Sequence, residues 1–421
     1  TVFFVIEPHS GKVFQNDVLQ MVEELTEASW QLPYSLRVDS LTNFQHTLAD
    51  EEGLVVENLV EDAAQLSHEQ LKSIQQIALS ESLLFGKLIT NDANVTGVAV
   101  TINLPGVSND EFGEVARAAR IVADEYRAKY PEITIYLSGM IMGNNTTTEL
   151  IEQDASSLVP LMGLIIILTL LLLLRSIVAT LATVVVILFT LVTTMGLMGW
   201  IGFSVTGPSS SAPIIIVTIA VADCVHILVS YFFLGRAGIS KTPAILKSLK
   251  INFGPIFLTS LTTTIGFLSM NFSDSPPFQI LGTVSAIGVV VAFLLSISLL
   301  PALMAILLPN KPVSKLNDNE GVLRPLANRV VSHPRGFFWG VSLVSILLFT
   351  AIPKNELNDE FTEFFDESLD FKKAVNFSNE HLVGVSTIEY ALVSPYDGGI
   401  NSPEFLQKLD LFSEWLLTQP E

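Results

Sequence analysis

Asp223 and His226 stand three residues apart inside an apolar run, Ala212 to Leu234, that reads APIIIVTIAVADCVHILVSYFFL. As a helix, a run of this length crosses a ~30 Å hydrocarbon core and places Asp223 near the bilayer midplane. An ionised carboxylate there costs on the order of 2.5 to 3.5 kcal/mol, so the group needs either a partner or a function. The spacing puts both titratable side chains on one helix face, with Cys224 beside them pointing elsewhere. This is the pattern of a proton or cation relay, and a polar pair that merely holds helices together is the plainer alternative.

A second polar group lies in LTSLTTTIGF, where Thr259, Ser260, Thr262, Thr263 and Thr264 interrupt another apolar segment. Most such hydroxyls bond back to carbonyls of their own helix. Thr263 and Thr264 are the candidates for lining the same polar path as Asp223. Gly282, Ser285 and Gly288 in the next segment permit close helix contact and require no further role.

These groups sit in a chain of opposed tendencies. Of 421 residues 49% are hydrophobic, yet the formal net charge is -20. The charge separates by region: residues 1–155 carry -16, residues 156–352 carry +6 and residues 353–421 carry -10. A membrane block therefore lies between two acidic, water-soluble pieces. Acidic surfaces repel phosphate backbones, which argues against a nucleic-acid partner. With Cys224 the sole cysteine, no intrachain disulfide can form. The chain opens on a strand-like TVFFVI, without the pattern of a signal peptide.

Six spans are expected: Ser157 to Leu174, Ile177 to Ile201, Ala212 to Leu234, Phe253 to Met270, Phe278 to about Ile297 with an extension past Pro301, and Phe337 to Ile352. Arg175 separates the first two; Arg236, Lys241, Lys247 and Lys250 follow the third; Lys311, Lys315, Arg324, Arg329 and Arg335, with Asp318 and Glu320, follow the fifth. The alternate loops, 202–211 and 271–277, hold no Lys or Arg. The basic loops are then cytoplasmic and both acidic pieces lie outside, in the periplasm of a bacterial inner (cell) membrane. Ser211 and Ser275 with their following prolines are expected to cap two spans, and residues 240–249 to form a separate amphipathic helix on the inner surface.

In the first soluble piece, strands are expected at Val2 to Ile6, Gly53 to Val60, Val95 to Leu104 and Ile133 to Leu137. Helices are expected from Asp17 to Trp30, after a Ser67 cap to about Leu79, and from Ser108 to Lys129 with Glu111 completing a capping box. The recurring strand-helix-strand order implies an α+β domain of ferredoxin-like halves. At an offset of 387 the chain then repeats itself: Pro8, Gly11, Leu19, Gln20, Glu27 and Pro33 recur as Pro395, Gly398, Leu406, Gln407, Glu414 and Pro420. A parent of about twice this length with twelve spans is expected. The domains read as 1–155 periplasmic α+β, 156–308 a five-span block, 309–336 a cytoplasmic linker, 337–352 the first span of a second repeat, and 353–421 the start of its periplasmic domain.

VADCVHI at 221–227, SLTTTIGFLSM at 260–270, ILGTVSAIGVVVAFLLSISLLPALMAIL at 280–307 and LRS at 174–176 together resemble the resistance-nodulation-division superfamily. The likeness is to its hydrophobe exporter branch, near the mycobacterial membrane-protein-large (MMPL) lipid exporters and the sterol-sensing-domain proteins. The family's fourth span carries a Gly-x-x-x-Asp relay motif, whose acid matches Asp223 and whose glycine is replaced by Ile219; His226 is additional. The resemblance implies a polytopic α-helical exporter, driven by the proton-motive force, with a periplasmic porter domain. Its expected partners are a lipidic or amphiphilic small molecule, protons, the membrane, and a homo-oligomeric copy or a periplasmic adaptor.

No G-x-x-x-x-G-K-[ST] is present, since GRAGISKT at 235–242 has the wrong spacing, which excludes ATP hydrolysis by that motif. No cofactor and no metal are expected, nor an enzymatic activity: an intramembrane aspartyl protease requires two acids at depth. A protein-translocation accessory and a non-transporting sterol or lipid sensor are the competing readings.

Overall fold

The computed structural model describes residues 1–49, 54–108, 110–309, 323–355, 360–382, 390, 392–394, 396 and 398–419. Lys311, Lys315, Asp318 and Glu320 of the expected linker, and Pro395 and Pro420 of the repeat, lie outside them. The chain divides into two compact units, Thr1–Asn144 with Glu360–Glu421, and Asn145–Asp359.

In the first unit the strands are β1 (Val2–Pro8), β2 (Ser35–Ser40), β3 (Gln45–Ala49), β4 (Leu54–Asn58), β5 (Thr96–Ile102) and β6 (Ile133–Ser138). Four form one antiparallel sheet in the order β2-β5-β1-β6, with Phe4 opposite Val98 and Leu137. β3 and β4 pair apart from it. The helices between them are α1 (Asn16–Ser29), α2 (His68–Ser80) and α3 (Glu111–Lys129). Phe4, Ile6, Val98, Val100 and Ile135 are buried on one face of the sheet. Leu19, Leu41, Leu71, Ile74 and Ile89 close a second core beneath α2.

Ser67 caps α2 as expected, with Gln70 completing the box. At α3 the expectation is corrected: the cap position is Asp110, whose side chain makes no capping bond, and the hydroxyl of Ser108 accepts from the Asp110 N–H. Only the Glu111 half of the box forms, because its carboxylate reaches back to three consecutive N–H groups, those of Gly106, Val107 and Ser108. β2 and β3 were not expected. β2 is an edge strand whose inward positions are Val38 and the polar Ser40, with Leu36 exposed, so a single apolar side chain marks its buried face.

The second unit is built from α4 (Met140–Leu174), α5 (Ile177–Ile201), α6 (Ala212–Arg236), α7 (Lys241–Leu268), α8 (Pro276–Leu307), α9 (Leu323–Ser332) and α10 (Pro334–Phe349). Among the described residues six helical segments, ending with Pro334–Lys354, are long and apolar enough to span a membrane. α6 packs against α5, α7 and α8, and α8 against α5 and α7. Residues 240–249 form no separate surface helix: α7 runs unbroken from Lys241 through Pro255 into the apolar segment. A proline is tolerated in this way where neighbouring helices take up the freed backbone groups. Lys241 Nζ donates to the carbonyls of Ala305 and Leu308, satisfying the end of α8.

Prolines occupy the first turns of α6 and α8, but neither Ser211 nor Ser275 makes a side-chain cap. Ser211 follows a short 3-10 turn from Pro208 and already has helical backbone angles, so its hydroxyl donates back to the Pro208 carbonyl.

After the last span, α11 (Asp370–His381) and α12 (Pro403–Leu417) complete the first unit. Phe377 of α11 stacks on Tyr136 at 4.4 Å, and Leu382 packs on Val5 and Val95. Val5 and Tyr136 are register partners, so this segment covers the sheet face opposite Phe4 and Ile6. Two backbone features recur at the offset of 387. Gly11 and Gly398 both hold positive φ, +66° and +75°, and α1 and α12 begin at Asn16 and Pro403, the same offset apart.

Candidate functional site

α6 carries a buried stripe at Ile216, Val217, Ala220, Asp223, Cys224, Ile227, Leu228 and Tyr231. The period of three to four residues turns one side of the helix toward α5, α7 and α8. Asp223 belongs to that stripe at 5% exposure, and its Oδ2 is enclosed without a hydrogen-bond partner. Cys224 is also buried, at 0% exposure, so both neighbours face inward rather than diverging.

His226 is exposed, in line with Ile214, Thr218 and Ala222 on the side of α6 that this chain leaves open. Three residues turn a helix by 300°, which leaves the two side chains about 60° apart. The edge of the buried stripe falls between them. The structure therefore separates Asp223 from His226 by environment although they are near in projection.

The polar residues of α7 divide by the same logic. Thr259 and Thr262 are exposed and donate to carbonyls of their own helix. Thr263 is half-buried. Ser260 is buried, in step with Asn252 and Ile256, and its Oγ is enclosed without a partner, as is the Oγ1 of half-buried Thr264. Ser260 is the member of the cluster that sequence reading passed over. The signal for it was present in the four-residue spacing 252, 256, 260, 264, which marks the inward stripe. On α8, Ser285 is wholly buried with an unpartnered Oγ.

Glycines hold these helices close. A Cβ on Gly282 would collide with the carbonyl of Phe267 and with Met270, and one on Gly288 would collide with Ile216. Ile219, at the glycine of the family's relay motif, is half-buried against the cluster of Ile187, Val217, Ala220 and Ala292. Asn252 Nδ2 donates to Ser230 Oγ at 2.8 Å and ties α7 to α6 nearer the basic ends.

Helices of membrane-spanning length, with a carboxyl enclosed in the central one, make this a polytopic α-helical membrane protein. The chain is a member of the MMPL family, whose sequence model matches residues 24–337. It is also similar to a "Probable transport protein MmpL10" of Mycobacterium leprae (strain TN), with 26% identity over 178 residues. That match covers 42% of this chain and 16% of the relative, so the similarity spans a small part of that protein.

Proposed function

We propose that this chain is part of a proton-driven exporter of hydrophobic, lipidic or amphiphilic compounds, with Asp223 as its proton relay. The observation that carries the reading is the enclosed, partnerless Oδ2 of Asp223 in the middle of a membrane-length helix. A carboxyl so placed has two useful states. Protonated, it is neutral and compatible with apolar packing; ionised, it demands a charge or dipole that this arrangement does not supply. Gain and loss of the proton then favour two different helix arrangements, which is sufficient for coupling. His226, on the open face of α6, is positioned to meet a helix from outside this chain, and Thr263 and Thr264 belong to the polar path.

The rest of the reading follows from family and fold. The sheet order β2-β5-β1-β6 with two crossing helices supports a ferredoxin-like porter domain. The basic loops, read by the positive-inside rule, support a periplasmic position for it at a bacterial inner membrane. The repeat at offset 387 supports a twelve-span parent whose second half contributes the ionic partner of Asp223. An outer adaptor and a homo-oligomeric assembly are compatible with the same plan. The test is Asp223→Asn in the full-length protein, reconstituted in vesicles with a fluorescent lipid. Insertion persists while movement that depends on the pH gradient is lost; unchanged movement refutes the relay.

A further inference from the structure

In the first unit a cavity of about 490 Å³ opens between the loop 85–92 and the C-terminal end of α11. Its size falls within the range of about 300–1,000 Å³ that small-molecule sites occupy. Both walls are held in place. In the loop, Gly86 adopts φ +74° and its N–H donates to the Ile89 carbonyl. The Leu88 carbonyl accepts from the Gly97 N–H and the Thr96 hydroxyl, and the Thr90 hydroxyl accepts from the N–H groups of Asn94 and Val95. On α11, the His381 ring stacks on Phe377 with centroids 4.2 Å apart, and Leu382 is buried against Val5 and Val95.

The groups facing this space are mostly hydrogen-bond acceptors. His381 Nδ1 lies 2.9 Å from the Phe377 carbonyl. A carbonyl can only accept, so Nδ1 carries the hydrogen and Nε2 of the neutral ring is left as an acceptor. Asp92 and Glu380 stand on opposite walls. Asp92 accepts one hydrogen bond, from Asn94 at 2.6 Å, and Glu380 has no partner among the described residues. The last carbonyls of α11 add the partial negative charge of a helix C-terminus. No Lys or Arg lines the cavity, and the Thr90 hydroxyl is already spent on Asn94 Oδ1, which leaves the Asn91 amide as the donor. Apolar surface comes from Leu382 and from Phe85, which is 44% exposed.

We propose that this cavity binds an amphiphile through a primary ammonium headgroup. Asp92 and Glu380 supply the opposite charge from either wall, His381 Nε2 accepts an N–H, and Phe85 and Leu382 lie along the start of the chain. A carboxylate or phosphate headgroup would instead meet two carboxyls and the negative end of a helix. A quaternary ammonium carries the charge but offers His381 no hydrogen. Among the described residues no three His, Cys, Asp or Glu side chains are gathered as a metal site, so the cation the cavity suits is an organic one. Binding stands on the geometry of the first unit alone, while the bound amine's being cargo rests on the exporter reading.

Photolabelling of the full-length protein in nanodiscs tests it, with a short primary alkylamine that carries a diazirine and mass mapping of the adducts. Adducts are expected on the peptides holding residues 85–92 and 380–382. Hexylammonium should displace them at about one-tenth of the concentration that hexyltrimethylammonium or hexanoate requires. Adducts confined to other regions, or equal displacement by either of the other two compounds, overturn the site. This competition is read on the unaltered protein, so it stands whether or not a variant folds. Asp92→Asn with Glu380→Gln should cut the labelling about tenfold, and His381→Phe, which keeps a ring on Phe377, about threefold. Lys87→Gln, in the same loop but outside the lining, should not reduce it; full labelling of the doubly neutralised variant overturns the site. The outcomes are separable from those of the relay. Adducts at both walls with normal transport by Asp223→Asn reject the relay and keep the site. No adducts there, with gradient-driven transport that Asp223→Asn abolishes, reject the site and keep the relay.

Discussion

Two carboxyls in this molecule are almost equally hidden, Glu111 at 4% exposure and Asp223 at 5%, and they are treated in opposite ways. Glu111 opens α3 in the first unit and accepts from the N–H groups of Val107 at 2.7 Å, Ser108 at 2.8 Å and Gly106 at 2.9 Å. The Ser108 N–H foremost, with those of Gly106 and Val107, outweighs burial and holds this carboxyl below the usual carboxylate range. Asp223 has an enclosed oxygen and no such donor. A carboxylate surrounded by donors is a structural fixture; one packed without them is suited to changing its charge.

The comparison yields a set of opposed outcomes. The largest is that Asp223→Asn reduces gradient-driven transport to background while leaving thermal unfolding of the protein nearly unchanged, because no hydrogen bond is removed. Glu111→Gln does the reverse, lowering the melting temperature of the first unit as its N–H groups lose a charged acceptor, with transport by the folded fraction intact. Calorimetry beside a transport assay separates the two, and a transport defect in both variants would erase the distinction.

Acidity sharpens it further. The Glu111 carboxyl is depressed in the folded state, so its contribution is fully present above the ordinary carboxylate pKa of about 4.3. It is lost as pH falls through the lower, folded value. Acid unfolding of the wild-type unit should therefore steepen below about pH 4, and Glu111→Gln should flatten that limb. Smaller still is the effect of helix spacing. Gly282→Ala forces a methyl onto a backbone carbonyl and should destabilise by about 1–3 kcal/mol. Gly288→Ala meets the side chain of Ile216 rather than a backbone carbonyl and should cost less. Denaturation in detergent ranks the pair. Thr262→Ala, which removes only a bond to its own helix on an exposed face, should change neither measurement.

What could be read in advance follows from how local the cause is. Both ends of α5 were legible because Ser176 caps it with a hydrogen bond from Ala179 and Gly202 closes it at φ +86°. The position of Asp223 in an apolar run was equally plain. Ser211 misled because the turn from Pro208 already gives it helical backbone angles, and Ser275 because Pro277 leaves the second position of α8 without an N–H for a cap to accept. Ser260 was missed, and His226 drawn too near, because inward and outward differ by tens of degrees on a helix, and only the neighbouring helices define them. β2 escaped because an edge strand has few neighbours to impose a pattern.

The segment around α11 carries a temporal consequence. Phe377 and Leu382 shield a sheet face built from β1 and β6, and Phe361 and Phe371 close over Gly143. Those partners leave the ribosome more than two hundred residues apart, with six helices of membrane-spanning length synthesised between them. The early domain must therefore wait, one face bare, until the late piece has been delivered to the same compartment. A nascent chain arrested before residue 360 should bind a hydrophobic dye or a holding chaperone through that face, and lose the signal once residue 382 has emerged.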